Sequence, residues 1–413
     1  MRGNIYLGRL IGIPFYLHWS WFLALFLIAW TLGGQFFPDL IPDLRGEPGW
    51  SWGLGLVAAL GLFLSILLHE LGHAVVARRL DIPVRSIRLF IFGGVAELGG
   101  EPRKPSHEIG MALGGPAVTV ILILLYAIGW NLLIAVGGVG MDLERMEFTG
   151  GSWWAVTSAA VLLCLTAINI AVLVFNLIPA FPLDGGRVFR GILWSATGSY
   201  LRGTQIAGAF GVGFGWLLFL WGFYNAFYGD LIGAVWMFFL GMFLQNAAQS
   251  SVTYAQMQEL LAGVRVREMM RTQPVALDAD LTLNEVLDHY FLRYPYKAYP
   301  VVENGRPVGV LTLRMLQEVD RQEWPVLRAR DLVERREPTP ILHPDEPVLN
   351  ALRKMSESEQ SRLPVVDNGQ LVGLLCRRDI MAFLEVRAGL AETRGRLTPA
   401  RPEDVVEEVR SSA

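Results

Sequence analysis

WGLGLVAALGLFLSILLHELGH, Trp52 to His73, is the stretch whose reading decides the fold. No charged residue occurs from Trp52 to Leu68, and the apolar run then meets His69-Glu70-Leu71-Gly72-His73. With its continuation to Val76, the segment is long enough to cross a bilayer as a helix, which takes about 20 predominantly apolar residues. Positions four apart share a helix face, so His69 and His73 can present ring nitrogens to one metal ion. Glu70 can then take a proton from a water polarised by that ion. A chance match and a pair of packed core histidines are the alternatives. An ionisable His-Glu-His cluster is costly in hydrocarbon, which favours a functional reading.

The rest of the chain supports a membrane setting. Of 413 residues, 53% are hydrophobic, too many for an ordinary soluble enzyme. Long uncharged runs dominate before about residue 250, whereas the chain from Gln256 onward is charged. This predicts one membrane domain and one water-facing domain. The net charge of −3 provides no basic field for a nucleic-acid partner. Two cysteines, Cys164 in an apolar run and Cys376 in the charged part, make no disulfide framework and do not argue for an oxidising compartment.

Six segments are predicted to span, near Ile13–Leu32, Trp52–Val76, Ile109–Val136, Trp153–Ile178, Thr204–Phe227 and Leu231–Ala248. The first follows Arg2 and Arg9 without a small-residue cleavage site, so it is expected to be a retained span. Gly211 and Gly215 in the fifth have the small-xxx-small spacing of helix packing. Basic residues collect on one side of these spans: Arg2 and Arg9, the loop from Arg78 to Lys104, then Arg187, Arg190 and Arg202. The other side has only Arg45 and Arg145. The positive-inside rule therefore puts the N-terminus and the charged C-terminal domain in the cytosol of a multi-pass protein of the cell membrane. His69 lies 17 residues after Trp52. At 1.5 Å per residue it is about 25 Å into a core of roughly 30 Å, near the cytoplasmic leaflet.

A zinc site usually takes a third protein ligand. Asp184 is the one other ionisable group at comparable depth, in NLIPAFPLDGGR, Asn176 to Arg187, at the end of a span that also runs inward. An ordinary Pro-Asp-Gly turn is the alternative.

Together these motifs resemble the site-2 protease family of intramembrane zinc metalloproteases. The likeness covers His69 to His73, the Phe92-Gly93-Gly94 segment, Gly114-Gly115-Pro116 at the next span, and the Asn-x-x-Pro-x-x-Pro-Leu-Asp-Gly motif from Asn176 to Gly185. HExxH alone is shared by many unrelated metalloproteases, and its combination with Leu-Asp-Gly in a polytopic protein is far more specific. The resemblance implies that His69, His73 and Asp184 bind one Zn2+ per chain, that Glu70 is the catalytic base, and that the substrate is itself a transmembrane segment.

A substrate helix shields its scissile carbonyl, so it must unwind, and its freed backbone groups then need partners. A protein strand edge could supply them. Arg85 to Leu98 alternates enough to form such a strand, with Gly93 and Gly94 allowing close backbone approach. A plain glycine-turn hairpin fits the spacing equally well, and the resemblance favours substrate docking. Asn176 and Asn169, seven apart, share a face; either could bind substrate backbone or a developing oxyanion, and Asn169 fits interhelical hydrogen bonding better. His18 and His107 have no partner at ligand spacing and are expected to be structural. No glycine-rich insertion resembling a peptide-binding module separates the third and fourth spans.

The charged domain contains a repeat. Pro300-Val-Val-Glu-Asn-Gly305 recurs 64 residues later as Pro364-Val-Val-Asp-Asn-Gly369, and Pro274 and Pro338 have the same offset. Each unit reads as helix, strand, turn, strand and closing helix. The two units resemble a pair of cystathionine-β-synthase (CBS) domains, which often bind adenine nucleotides. Of the usual hydroxyl and acidic pair, the first repeat keeps Thr312 but has Met315, and the second keeps Asp379 but has Cys376. Each half is incomplete, so a dimerisation module without ligand is an equal alternative.

The expected architecture is a polytopic α-helical membrane domain at 1–252, with a short β segment after the second span. It is followed by an α/β CBS module at 253–321 and 322–386, and a charged flexible tail at 387–413. The expected function is intramembrane zinc endopeptidase, modulated by the CBS pair through a ligand or a homodimer. Its partners are a transmembrane substrate and the lipid bilayer. A CBS-regulated transporter or channel is the rival class, with the polar residues lining a permeation path. A non-catalytic relative is disfavoured because Glu70 and all three candidate ligands are present.

Overall fold

A computed structural model of the chain describes residues 4–91, 93–142, 147–335 and 338–396. Arg2, Phe92, Arg145 and the tail from 397 onward lie outside the described residues. The chain divides into two compact units, Met1–Ala255 and Gln256–Ala413.

The first unit opens with strands β1 (Asn4–Leu10) and β2 (Ile13–His18). Helix α1 (Ser20–Thr31) continues through a π-helical turn at Leu32–Phe36 into α2 (Phe37–Leu40). The long helix α3 (Pro48–Arg79) carries the opening motif and is followed by strands β3 (Val84–Phe90) and β4 (Gly93–Leu98). Next come α4 (Pro105–Gly137), the short strands β5 (Gly140–Asp142) and β6 (Glu147–Thr149), and α5 (Trp153–Asn176). Helices α6 (Asp184–Thr197), α7 (Tyr200–Phe227) and α8 (Leu231–Leu261) complete the unit, α8 ending beyond it.

Local chemistry sets several of these boundaries. Proline stands in the first turn of α3 and of α4, where its missing N–H would have no intrahelical acceptor. Ser152 caps α5 by accepting from the N–H of Ala155. Left-handed glycines close α4 at Gly138 and α6 at Gly198.

Among the described residues, six helices are long and apolar enough to cross a membrane: Ser20–Leu40, α3, α4, α5, α7 and α8. Their outward faces carry large apolar side chains such as Leu125, Trp216, Leu220 and Trp221. Water would penalise such a surface, and hydrocarbon does not. Lipid offers no hydrophobic drive for helix association, so close packing relies on small residues. At the crossing of α3 and α4, a Cβ on Gly72 would lie 2.4 Å from the carbonyl oxygen of Gly114. Gly211 and Gly215 likewise face α8, meeting Ala248 and Gly241.

The β structure exceeds the expectation of one short segment after the second span. Strands β1 to β4 form a single four-stranded sheet in that order, with β2 and β3 parallel and the other pairs antiparallel. Ile13 to His18, expected at the start of the first span, belongs to β2. Ile13, Phe15 and Leu17 are buried at 2%, 3% and 5% exposure while Pro14, Tyr16 and His18 between them are only partly covered. That period of two fits a strand against α3, where Ile13 and Phe15 pack with Ala74 and Ile87. An apolar run alone does not separate such a strand from a helix end.

The second unit holds the repeat. Its elements are β7 (Arg271–Thr272), β8 (Leu277–Asp278), α9 (Leu283–Val286), β9 (Ala298–Glu303), β10 (Arg306–Thr312) and α10 (Leu313–Gln317). There follow α11 (Ala329–Glu334), α12 (Val348–Glu357), β11 (Arg362–Asp367), β12 (Gln370–Cys376) and α13 (Arg377–Arg396). Hairpins β9–β10 and β11–β12 turn on Asn304-Gly305 and Asn368-Gly369, all four residues having positive φ. Asn-Gly tolerates that two-residue turn at least strain. The hairpins meet where the N–H of Leu371 donates to the carbonyl of Gly305 at 3.0 Å. The connecting segments are exchanged: Val264 and Val266 pack with Leu363 and Val365 of the second repeat, whereas Leu332 and Val333 pack with Tyr299 and Leu311 of the first.

Candidate metal centre

His69 and His73 lie on the inner face of α3, both 5% exposed. Asp184 is the first residue of α6, just after the Pro179–Leu183 loop, so it opens a helix instead of sitting in an isolated turn. Its Oδ2 lies 3.1 Å from His69 Nε2 and 3.2 Å from His73 Nε2, and the two nitrogens are 3.1 Å apart. Three donors from two elements 111 or more residues apart thus converge on one point.

The outer nitrogens of both rings are engaged by α4. His69 Nδ1 lies 2.8 Å from Thr119 Oγ1, and His73 Nδ1 lies 2.7 Å from the carbonyl oxygen of Met111. A ring whose Nδ1–H donates outward keeps the Nε2 lone pair free for a cation, and such partners orient metal-binding histidines generally. Gly115, between these two anchors, permits the approach. A Cβ there would fall 2.3 Å from His73 Nε2 and 2.6 Å from His69 Nε2. Two imidazoles and a carboxylate, with ring orientations set from behind, fit a three-ligand zinc site that leaves one position open.

Glu70 faces β4. The Cβ of a substituent at Gly94 would lie 2.5 Å from Glu70 Cγ. The predicted Arg85–Leu98 segment is therefore two strands, the hairpin β3–β4, and its second strand passes directly over Glu70. Beside the cluster is a cavity of about 730 Å³ whose lining includes Glu70, Gly93, Gly94, Asn176 and Asp184. Ile66, Ile168, Val172, Phe175, Phe243 and Leu244 make its apolar wall. Asn169 also reaches the lining, but its amide donates to Ser65 Oγ at 3.3 Å and to the carbonyl of Leu165 at 2.8 Å, the bonding of an interhelical bridge. His18 pairs locally with Ser20.

Thr119 and the Met111 carbonyl were not legible in sequence. A backbone oxygen leaves no residue signature, and Thr119 becomes meaningful only once α4 is known to pack on the histidines. Gly115 carried a signal through its motif without showing what it contacts.

In the second unit, Thr312 caps α10 by accepting from the N–H of Met315 at 3.3 Å. Asp379, in the first turn of α13, accepts two hydrogen bonds from Arg271, at 2.7 and 3.0 Å. Burial pushes the Cys376 thiol above its ordinary range.

The sequence matches the profile of peptidase family M50 over residues 57–220 and that of the CBS domain over residues 266–320 and 329–386. A Synechocystis sp. protein named as a zinc metalloprotease is 33% identical over 394 residues, covering 94% of this chain and 97% of its own. The chain belongs to peptidase family M50. This M50 peptidase is also 32% identical over 390 residues to Rip3 of Mycobacterium tuberculosis, named as a zinc metalloprotease, covering 94% of each chain. The solved site-2 protease of Methanocaldococcus jannaschii is 26% identical and covers 60% of this chain and 95% of its own, with a TM-score of 0.39. The M50 peptidase is thus a site-2-type zinc metalloprotease with CBS domains and a multi-pass membrane unit. The transporter or channel alternative finds no support in these matches.

Proposed function

We propose that the protein is an intramembrane endopeptidase that hydrolyses a peptide bond in or near a transmembrane segment of a substrate protein, close to the cytoplasmic face. One observation carries this reading: His69, His73 and Asp184 present three donors to one point beside a cavity that contains Glu70. His69, His73 and Asp184 would hold zinc, one ion per chain. Bound there, zinc supplies Lewis-acid polarisation of a scissile carbonyl and of water.

The chain's own residues do the rest. Glu70 takes a proton from the attacking water and returns it to the leaving amine, a role that general acid–base groups fill for about 10²–10⁴-fold in rate. Thr119 and the Met111 carbonyl hold the imidazoles in register. Strand β4 ends its sheet, and among the described residues no further strand pairs with it. Its outer edge offers backbone hydrogen bonds to an unwound substrate, with Gly93 and Gly94 allowing that strand to lie close to Glu70. Asn176, also in the cavity lining, bonds the substrate backbone. The apolar wall formed by Phe243 and Leu244 of α8 and Val172 and Phe175 of α5 receives substrate side chains.

The loop charges orient the N-terminus and the CBS pair toward the cytosol. Residues 1–252 would form the protease domain, 253–321 and 322–386 the two CBS repeats, and 387–413 the tail. The repeats would act as a homodimer contact, with adenine nucleotide as a candidate ligand near Thr312 and Asp379. Nucleotide binding at Asp379 would require release of Arg271.

Reconstitution of the full chain with a single-pass membrane protein tests the central reading. Glu70→Gln should reduce cleavage at least about 100-fold while zinc content and melting temperature stay at wild-type values. Undiminished cleavage in that variant eliminates Glu70 as the base.

A further inference from the structure

Residues 108, 111, 115 and 119 are spaced three or four apart and so share one face of α4. Three of them serve the histidines: the Met111 carbonyl and Thr119 bond the outer nitrogens, and Gly115 makes room for the rings. Glu108, one turn earlier, takes no part in that contact and is wholly buried, at 0% exposure. Its Oε1 accepts from Arg187 Nε at 3.2 Å and from Arg190 Nη2, both on α6. These arginines lie three and six residues beyond Asp184 on the same short helix. The Arg190 guanidinium is also held between two rings, 4.8 Å from the centroid of Phe181 and 4.7 Å from that of Tyr200.

Such a cluster is expensive. Glu108 Oε2 and Arg190 Nε are buried without a hydrogen-bond partner among the described residues. A buried ion pair often contributes nothing to stability relative to apolar packing, and its better-attested use is to specify register. The register at stake here is evident from the geometry. Face 108–119 of α4 contacts both histidines directly and meets the helix of Asp184 through Glu108.

We infer that Glu108 is a positioning residue for Asp184, clasping α6 to the same α4 face that orients His69 and His73, so that a single helix sets all three donors. The inference rests on the proposed ligand set. An axial slip of α6 by one residue would move Asp184 about 1.5 Å, half the present separation between its oxygen and the imidazole nitrogens.

The test uses the full-length protein in detergent, with zinc affinity measured by chelator competition and the d–d absorption of the cobalt-substituted protein as a second readout. Glu108→Gln should weaken zinc binding about 10–100-fold and change the cobalt spectrum, the usual range for loss of a residue that supports a metal ligand. Removal of the more deeply buried pair in Glu108→Leu/Arg190→Leu, which leaves Arg187 with its 23% exposed side chain to reach solvent, separates positioning from folding. A purely structural clasp predicts that recovery of the metal-free melting temperature restores zinc affinity, whereas a positioning role predicts that affinity stays low in the folded double variant. Wild-type affinity and an unchanged cobalt spectrum in either folded variant overturn the inference. Asp184→Ala serves as the reference. If it too binds zinc as tightly as wild type, the ligand assignment falls; if it alone is weakened, the clasp falls and the ligand set stands.

Discussion

The candidate metal centre and the CBS hairpins place their key residues by opposite means. At the centre, His69 and Asp184 meet across 115 residues of chain, and no local signal in either motif specifies the other. In the repeat pair, β9–β10 and β11–β12 each close within a few residues on an Asn-Gly turn, and every strand boundary in the second hairpin lies 64 residues after its counterpart in the first. The two regions are also held by different forces. The CBS repeats bury continuous apolar cores away from water. The helices of the membrane unit gain little from that effect in lipid and depend on small-residue crossings and polar contacts at defined depths. A single added methyl group should therefore be most damaging in the first region, and loss of buried volume most damaging in the second.

The largest expected effect follows from this contrast. Gly115→Ala puts a Cβ into the space of both imidazoles, and zinc affinity by chelator competition should fall about 100-fold. Gly110→Ala, on the same helix, meets nothing within 4 Å and should leave affinity unchanged. Equal affinity in the two variants would break the claim that the α4 contact orients the rings.

The repeat pair supplies a symmetric counterpart. Leu311 and Leu375 occupy equivalent positions in β10 and β12, both at 0% exposure. Truncation of either to alanine should destabilise its repeat by about 2–5 kcal/mol, the range for large-to-small substitution of a buried leucine. Urea unfolding followed by tryptophan fluorescence and circular dichroism measures it. A much smaller loss at one position would show that the exchanged connecting segments relax around one core more than the other.

A smaller effect concerns pH. Hydrogen bonds from Arg265, with the nearby Arg267 charge, hold the Asp345 carboxyl below its ordinary value near 3.8. A depressed carboxylate stabilises the fold above its unfolded pKa, and that contribution disappears as pH falls through the folded value. Asp345→Asn should therefore flatten the loss of stability of the CBS unit below about pH 4, with little change at pH 7 beyond the lost surface pair. An unchanged acid profile would show that this exposed pair is uncoupled from folding.

Legibility differed between the two regions for physical reasons. Membrane spans announce themselves because every lipid-facing turn must be apolar, so α3, α4, α5 and α7 lie close to their predicted ranges. The first span shifted toward the C-terminus because Ile13 to His18 is apolar enough for lipid yet alternates as a buried strand. At β3–β4 the two glycines pair within β4, opposite Phe90 and Leu89, and β4 passes over Glu70 as the docking reading requires; spacing could not choose because Gly-Gly suits a turn and a closely approached strand alike. At the CBS pair, the motif residues Thr312 and Asp379 were visible, but the occupation of Asp379 by Arg271 was not, since 108 residues separate them.

By itself the sequence determined the chemistry: an HExxH pair in an uncharged span, a Leu-Asp-Gly motif at matching depth, and a repeated strand–turn–strand unit. These are properties of side-chain type and spacing, and local periodicity suffices to read them. Only the tertiary structure decided that α4 orients both imidazoles, that β4 covers Glu70, and that Glu108 reaches the helix of Asp184. Those relations depend on helix crossings and backbone carbonyls, and a backbone oxygen in the right place is available to any residue.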